Sequence, residues 1–247
     1  MSSSESLFEH GRKAQAERDA PLAERMRPGT FDEFVGQDQI VDPDRVLLKS
    51  IAAGRLPSII LWGPPGTGKT TLARLVATST QSDFQPVSAV TSGVADLRRI
   101  VAEARDRKGM HQQSTILFVD EIHRFNKAQQ DVILPHVEDG TITFIGATTE
   151  NPSFEVIAPL LSRCRVFSLQ SLEPDQMKDI VNRALSDSLR GLGPLNASLV
   201  EDALDHLVNI ANGDARIALN ALETAAYAFT PDADGKRLID LETIADA

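Results

Sequence analysis

The octet Gly63-Pro64-Pro65-Gly66-Thr67-Gly68-Lys69-Thr70 constrains this chain more than any other stretch. It satisfies the spacing G-x-x-x-x-G-K-[ST], and it stands between a short apolar run, 58–62, and a segment with helical patterning, 70–80. That context carries the inference, because strand, glycine-rich loop and helix in this order build a phosphate cradle. Glycines let the backbone curl until successive N–H groups converge on one anion. The helix after the loop adds the positive end of its dipole. Gly63, Pro64, Pro65, Gly66, Thr67, Gly68, Lys69, Thr70 and the next residue, Thr71, are therefore the expected contacts of a nucleotide triphosphate. A turn rich in glycine and proline that binds nothing is the competing reading, and the flanking elements weigh against it.

Length and composition limit the rest. A chain of 247 residues holds one large domain or two modest ones. Its 42% hydrophobic and 24% charged content is ordinary for a globular protein. No apolar run approaches a membrane span, and residues 1–9 lack the apolar core of a signal peptide. The single cysteine, Cys164, has no partner for an internal disulfide, so the default expectation is a cytoplasmic protein with no membrane partner. A net charge of −10 excludes a protein that coats nucleic acid with its whole surface. It leaves room for a local basic patch that meets DNA.

Along the chain, residues 1–20 are polar and read as a lead-in with one helical stretch at 11–19. Leu7-Phe8 there fits a short docking peptide for a sliding clamp, although two stray apolar residues on a tail are the simpler account. Five nearly continuous apolar runs come next, at 58–62, 84–88, 115–119, 143–147 and 165–169, as expected for parallel strands covered on both faces. Helical patterns at 44–53, 70–80, 94–108, 127–138 and 153–161 alternate with them, which predicts a doubly wound α/β domain over 21–170. Beyond it, 174–190, 197–212 and 214–229 carry helical spacing without a strand signal, which predicts a small all-helical domain over 171–247. Asp42-Pro43, Glu173-Pro174 and Gly191-Leu192-Gly193-Pro194 punctuate the boundaries. Residues 238–247 read as the opening of a further element, so the chain is expected to be part of something longer.

The second chemical constellation is Ile116-Leu117-Phe118-Val119-Asp120-Glu121, a strand that ends in two carboxylates. Ligands bind at that end of open α/β sheets. Asp120 is expected to hold Mg²⁺ with the Thr70 hydroxyl, and Glu121 to orient or deprotonate the attacking water. A pair of solvated acids is the bland alternative. Lys69 would reach the β- and γ-phosphates as a point charge. The strand 144–147 ends in Thr148-Thr149-Glu150-Asn151, where Thr149 would sense the γ-phosphate and Thr148 and Asn151 are rivals for that role. Phosphoryl transfer also needs further positive charge. Arg163 would supply it to a neighbouring subunit, although from spacing alone a solvated surface arginine is the simpler account. Arg165 belongs within or beside the fifth strand. Arg216, opening a helix after Gly213-Asp214, would touch the γ-phosphate from the helical domain. His123 reads as a residue that supports its neighbours or caps a turn, and the five histidines form no metal-ligand spacing with Cys164.

With these elements in this order the chain resembles AAA+ ATPases of the clamp-loader clade, from about Leu22 to Phe229. Arg27-Pro28 with Phe34-Val35-Gly36-Gln37 is similar to that clade's adenine-side motif, which adds Arg27, Pro28, Val35 and Gly36 to the expected nucleotide contacts. Ser162-Arg163-Cys164 is similar to its arginine-finger motif, and Arg216 to its sensor-2 arginine. The strings 23–28, 123–127 and 146–154 are more specific. They resemble the family of replication-associated recombination protein A and its eukaryotic relative, the Werner helicase-interacting protein. Holliday-junction motors share Gly146-Ala147-Thr148-Thr149 but not the residues after it.

The resemblance implies a P-loop NTPase of AAA+ type, with a five-stranded parallel sheet followed by a small all-helical lid. It implies an ATP hydrolase that uses ATP and Mg²⁺, and a DNA-dependent one. Its expected place of action is stalled forks, gaps, ends or single-strand/double-strand junctions, in a protein associated with the bacterial nucleoid. It also implies a homotetramer held by a C-terminal domain that this chain stops short of. Single-strand-binding protein and the sliding clamp become candidate partners. Segments 92–99 and 126–129, with Arg98, Arg99 and Lys127, are the expected DNA face, a solvated helix face being the alternative. Many clamp loaders carry Asn where Thr149 stands. The rival functions are an ATP-gated switch that assembles protein partners without acting on DNA, and a small-molecule kinase, against which Glu121 and the helical domain speak.

Overall fold

The computed structural model describes residues 19–89 and 91–247. The helical stretch expected at 11–19 therefore lies outside it except for Asp19, and the docking peptide at Leu7-Phe8 lies wholly outside it. The described chain forms two compact units, Pro28–Ser171 and, from Leu172 to Ala247, a second unit that also takes in the residues up to Arg27.

In the first unit the five apolar runs become strands β1 (Ser58–Trp62), β2 (Asp83–Ser88), β3 (Thr115–Asp120), β4 (Thr143–Thr148) and β5 (Cys164–Ser168). All are parallel, in the order β2-β3-β4-β1-β5. Alternation is hidden inside the continuous runs. Ile59, Leu61, Ile116, Phe118 and Ile145 pack into one core, whereas Ile60, Leu117, Val119 and Phe144 pack into another. The first core is covered by α2 (Asp38–Val41), α3 (Val46–Ala52) and α4 (Lys69–Ser79). The second is covered by α5 (Val94–His111), α6 (Lys127–Glu138) and α8 (Ala158–Leu161), with Val156 entering it just after α7 (Pro152–Glu155). Only the central strands β1, β3 and β4 are buried along nearly their whole length. The edge strands β2 and β5 are half open, and Pro86 sits in β2, where an edge tolerates a missing N–H. Cys164 opens β5, and burial pushes its thiol up to about 12, so it packs as a neutral group.

The helix expected over 153–161 is broken into α7 and α8. A continuous helix would put the Pro159 ring against the Glu155 carbonyl and remove a hydrogen bond. The chain instead extends at Val156, and the buried Gln130 amide bridges the gap. Its Nε2 donates to Glu155 O at 3.0 Å and its Oε1 accepts from Ile157 N at 2.9 Å.

The second unit is helical, with α9 (Pro174–Ser186), α10 (Glu201–Ala211), α11 (Ala215–Ala228) and α12 (Leu241–Ala245) around a core of Met177, Val181, Leu207, Leu222 and Ile244. It also contains a two-stranded parallel ladder, β6 (Ala197–Leu199) with β7 (Arg237–Ile239), that the residue pattern did not predict. Three-residue strands carry no periodic signal. Residues 22–27, assigned from the sequence to the α/β domain, pack here instead. Leu22 and Met26 of the segment α1 (Leu22–Arg25) and its exit enter the helical core. Glu223 accepts from Leu22 N at 2.8 Å and pairs with Arg25 at 2.8 Å. No helix among the described residues is long and apolar enough to cross a membrane.

The turn after α9 is tight. Asp187 Oδ1 accepts from Arg190 N at 2.8 Å and Leu189 N at 2.9 Å, and these bonds, the Arg190 backbone first, hold its carboxyl below the ordinary carboxylate range. A Cβ on Gly191 would lie 2.2 Å from Ala184 O. Gly191→Ala should therefore destabilise the helical unit by about 1–3 kcal/mol in thermal or urea denaturation. Asp187 has a depressed folded pKa, so its contribution is present above its unfolded pKa and is lost as pH falls through the folded one. The stability gap between wild type and Asp187→Ala should shrink as denaturation is repeated at progressively more acidic pH below the unfolded value.

Candidate active site at the carboxyl edge of the sheet

The loop that leaves β1 is stitched to both neighbouring strands. Gly63 N donates to Thr148 O at 3.2 Å, and Leu169 N donates to Trp62 O at 2.7 Å. The chain passes so close to β5 that a Cβ on Gly63 would lie 2.4 Å from Leu169 O. Gly66 and Gly68 take positive φ values of 69° and 94° and turn the backbone into α4. A Cβ on Gly68 would meet the Phe34 ring at 2.8 Å. Inside this ring of backbone lies Lys69, only 8% exposed, whose Nζ donates to Gly63 O at 2.8 Å and Pro64 O at 2.7 Å. Thr67 Oγ1 donates to Pro64 O at 2.9 Å and closes the turn. Pro64 and Pro65 are exposed, and Thr71 is buried in the first turn of α4.

The strand beyond β4, β3, delivers the acids. Asp120 ends β3, and its Oδ2 accepts from Thr70 Oγ1 at 3.4 Å. Two hard oxygen donors side by side at the start of α4 suit a divalent cation such as Mg²⁺, which takes one or two protein oxygens and keeps waters and phosphate oxygens for the rest. No group of three or more metal-ligating His, Cys, Asp or Glu side chains occurs among the described residues. Glu121 comes next with φ 55° and ψ 52°, a left-handed conformation costing about 1–2 kcal/mol outside glycine. The fully buried Ile122 and the 3-10 turn Ile122–Arg124 hold it there. Such strain gathers where a side chain must be aimed.

At the end of β4 the three candidate sensors separate. Thr148 is fully buried, and its Oγ1 accepts from Glu150 N at 2.9 Å. Asn151 caps α7, accepting from Ser153 N at 3.0 Å. Thr149 is half-buried, and among the described residues its hydroxyl takes no hydrogen bond. The segment Phe34–Gln37 lies over the loop through Phe34. Gln37, itself left-handed, ties it to the exit of β5 by two reciprocal bonds, Nε2 to Gln170 O at 2.7 Å and Gln170 N to Oε1 at 2.9 Å. Val35 is half-buried and Gly36 buried within this strap.

Arg163 is not part of this edge. It precedes β5, whose first residue Cys164 pairs with Ser58 at the start of β1. One strand length, about 17 Å, separates it from the loop after β1. There it forms an ion pair with Glu138 and donates to Pro159 O at 2.7 Å. Arg27, paired with Glu24, and Arg216, exposed in the first turn of α11 behind the Asp214 cap, belong to the helical unit. Pro28 begins the α/β unit. Sequence reasoning missed Phe34 against Gly68, the Gln37 strap and a contact of His123 with both Glu121 and Thr148. The glycine at 68 was the one local hint that a bulky neighbour comes close.

Comparison with known proteins matches this geometry. Residues 26–165 fit the model of the Holliday junction DNA helicase RuvB P-loop domain, and residues 193–247 fit that of an AAA C-terminal domain. Replication-associated recombination protein A of Escherichia coli K12 is 48% identical over 226 residues, covering 92% of this chain and 50% of its own length. ATPase WRNIP1 of Dictyostelium discoideum is 45% identical over 85% of this chain and 24% of its own. Among solved structures, the Thermotoga maritima RuvB Holliday junction branch migration motor superposes with a TM-score of 0.72 at 27% identity, covering 90% of this chain and 72% of that one. The chain spans about half the length of the bacterial relatives it matches. It belongs to the AAA+ family of replication-associated recombination protein A and WRNIP1, with a RuvB-type P-loop domain followed by an AAA C-terminal domain.

Proposed function

We propose that this chain is the ATP-hydrolysing core of a DNA-dependent motor that acts at stalled forks, gaps, ends or single-strand/double-strand junctions. The observation that carries the reading is the convergence of Lys69, Thr70 and Asp120 on one sheet edge, with Glu121 beside them. Lys69 holds two loop carbonyls and would exchange them for β- and γ-phosphate oxygens. Thr70 and Asp120 would hold Mg²⁺, which when bound neutralises charge on the phosphates. Glu121 orients and deprotonates the attacking water. Thr149, whose hydroxyl takes no hydrogen bond among the described residues, reads the γ-phosphate in preference to Thr148 and Asn151. Arg27, Pro28, Val35 and Gly36 face the adenine side. Arg163, remote from its own loop, serves a neighbouring protomer's γ-phosphate, and Arg216 serves from the helical unit.

The assembly is a homotetramer, found with the nucleoid in the cytoplasm, with single-strand-binding protein and the sliding clamp as candidate partners. The DNA face gains support from one contact. Gln129 Nε2 donates to Ser92 O at 2.8 Å, so the starts of α5 and α6 lie side by side. Arg98, Arg99 and Lys127 are exposed there and would meet phosphates despite the acidic total.

Lys69→Ala should abolish ATP binding in calorimetry. Glu121→Gln should bind ATP normally and lose hydrolysis by about 10²–10⁴-fold. Undiminished hydrolysis by Glu121→Gln would contradict the assignment, and a hydrolysis-dead Glu121→Gln protein that still served its cell would favour an ATP-gated assembly switch.

In the protein at its full natural length, gapped duplex DNA should raise the ATPase rate, and less so at high salt. Arg163→Ala should cut the stimulated rate by about 10³-fold or more while ATP affinity persists. A rate indifferent to every DNA structure would overturn the motor reading.

A further inference from the structure

Resting on the reading that Glu121 handles the water, we propose that His123 is its positioning residue, and that His123 ties the aim of this carboxylate to the end of β4. His123 Nδ1 lies 3.2 Å from Glu121 Oε2 and 3.0 Å from Thr148 Oγ1. The ring is largely sheltered, with 17% of its side chain exposed, whereas the Glu121 side chain is 39% exposed. The fold therefore fixes the histidine, and the histidine restrains the more open glutamate. The short 3-10 turn does this by bringing residue 123 back beside residue 121, anchored on Ile122 and Phe125, both buried.

Hydrogen accounting assigns the donor. A carboxylate only accepts, so the proposal requires the tautomer in which Nδ1 carries the proton that faces Glu121. Thr148 Oγ1 then receives a share of the same N–H, accepts from Glu150 N at 2.9 Å, and directs its own hydrogen toward Glu150 O at 3.4 Å. The far end of this hydrogen-bond chain brackets Thr149 on both sides. One ring nitrogen faces both Glu121 and Thr148, so a shift of the 148–150 backbone when Thr149 meets a ligand changes the hold on Glu121. Coupling of this kind needs no movement of the sheet.

The test uses the full-length protein and measures kcat for ATP with DNA present and ATP affinity by calorimetry. His123→Asn keeps an N–H donor near the position of Nδ1, and His123→Leu has similar bulk without it. We expect His123→Leu to lose kcat by about 10–100-fold. His123→Asn should recover at least about tenfold of that loss, with ATP affinity within about twofold of wild type in both. Thr148→Val should lower kcat in the His123 protein and cost nothing further once His123→Leu is present. Equal kcat for the two His123 variants, parallel losses of affinity and kcat, or multiplicative losses with Thr148→Val would overturn the proposal. Glu121→Gln run alongside separates the two claims. If it stays active, the underlying reading of Glu121 fails. If it is dead while His123→Leu runs at full rate, only the positioning role fails.

Discussion

The whole site depends on the first strand being extended past its own end by its neighbours. The bond from Gly63 N to Thr148 O pins the start of the loop to β4, and the bond from Leu169 N to Trp62 O pins the end of β1 to the chain leaving β5. Together they set where Lys69 sits and where α4 begins. Asp120 then meets Thr70 because β3 lies on the other side of β4, in parallel register. Glycine at position 63 is required by the same constraint, since any side chain there would displace the β5 exit by occupying its carbonyl.

Around that frame the chemistry is arranged by departures from regular structure. Glu121 takes a left-handed backbone where the strand stops, and Gln37 takes another where the overlying strap turns into α2. Both are held by groups that leave little freedom, a buried Ile122 in one case and paired amide bonds to Gln170 in the other. Strain that is over-determined by its surroundings keeps a polar side chain aimed without a ligand present. Arg163 is organised differently. Its ion pair with Glu138 and its place before β5 keep it away from the loop after β1.

Much of the fold was legible because its signals are local. The run 58–62 and the helix 127–138 appear with the bounds read from sequence, the second because Asn126 and Gln129 form a reciprocal cap that begins it sharply. The phosphate loop was legible for the same reason, since its chemistry sits in contiguous residues. What escaped were features created by distant partners. The break between α7 and α8 needs the Gln130 amide, 25 to 27 positions away, to satisfy the exposed backbone. Residues 22–27 join the helical unit through Glu223, and β6 finds β7 only after two helices have intervened. In the site, the Gln37–Gln170 strap and the His123–Thr148 contact likewise join residues that no spacing rule connects.

The central claim is that one sheet edge grips a triphosphate through Lys69 and a cation through Thr70 and Asp120. A crystal structure of the chain with Mg²⁺ and a non-hydrolysable ATP analogue tests it most directly. Lys69 Nζ is predicted to leave the Gly63 and Pro64 carbonyls for phosphate oxygens. The metal is predicted to lie between the Thr70 hydroxyl and the Asp120 carboxylate, with Thr149 nearest the γ-phosphate. A nucleotide bound elsewhere, or Lys69 still seated on the loop carbonyls with the analogue in place, would contradict it.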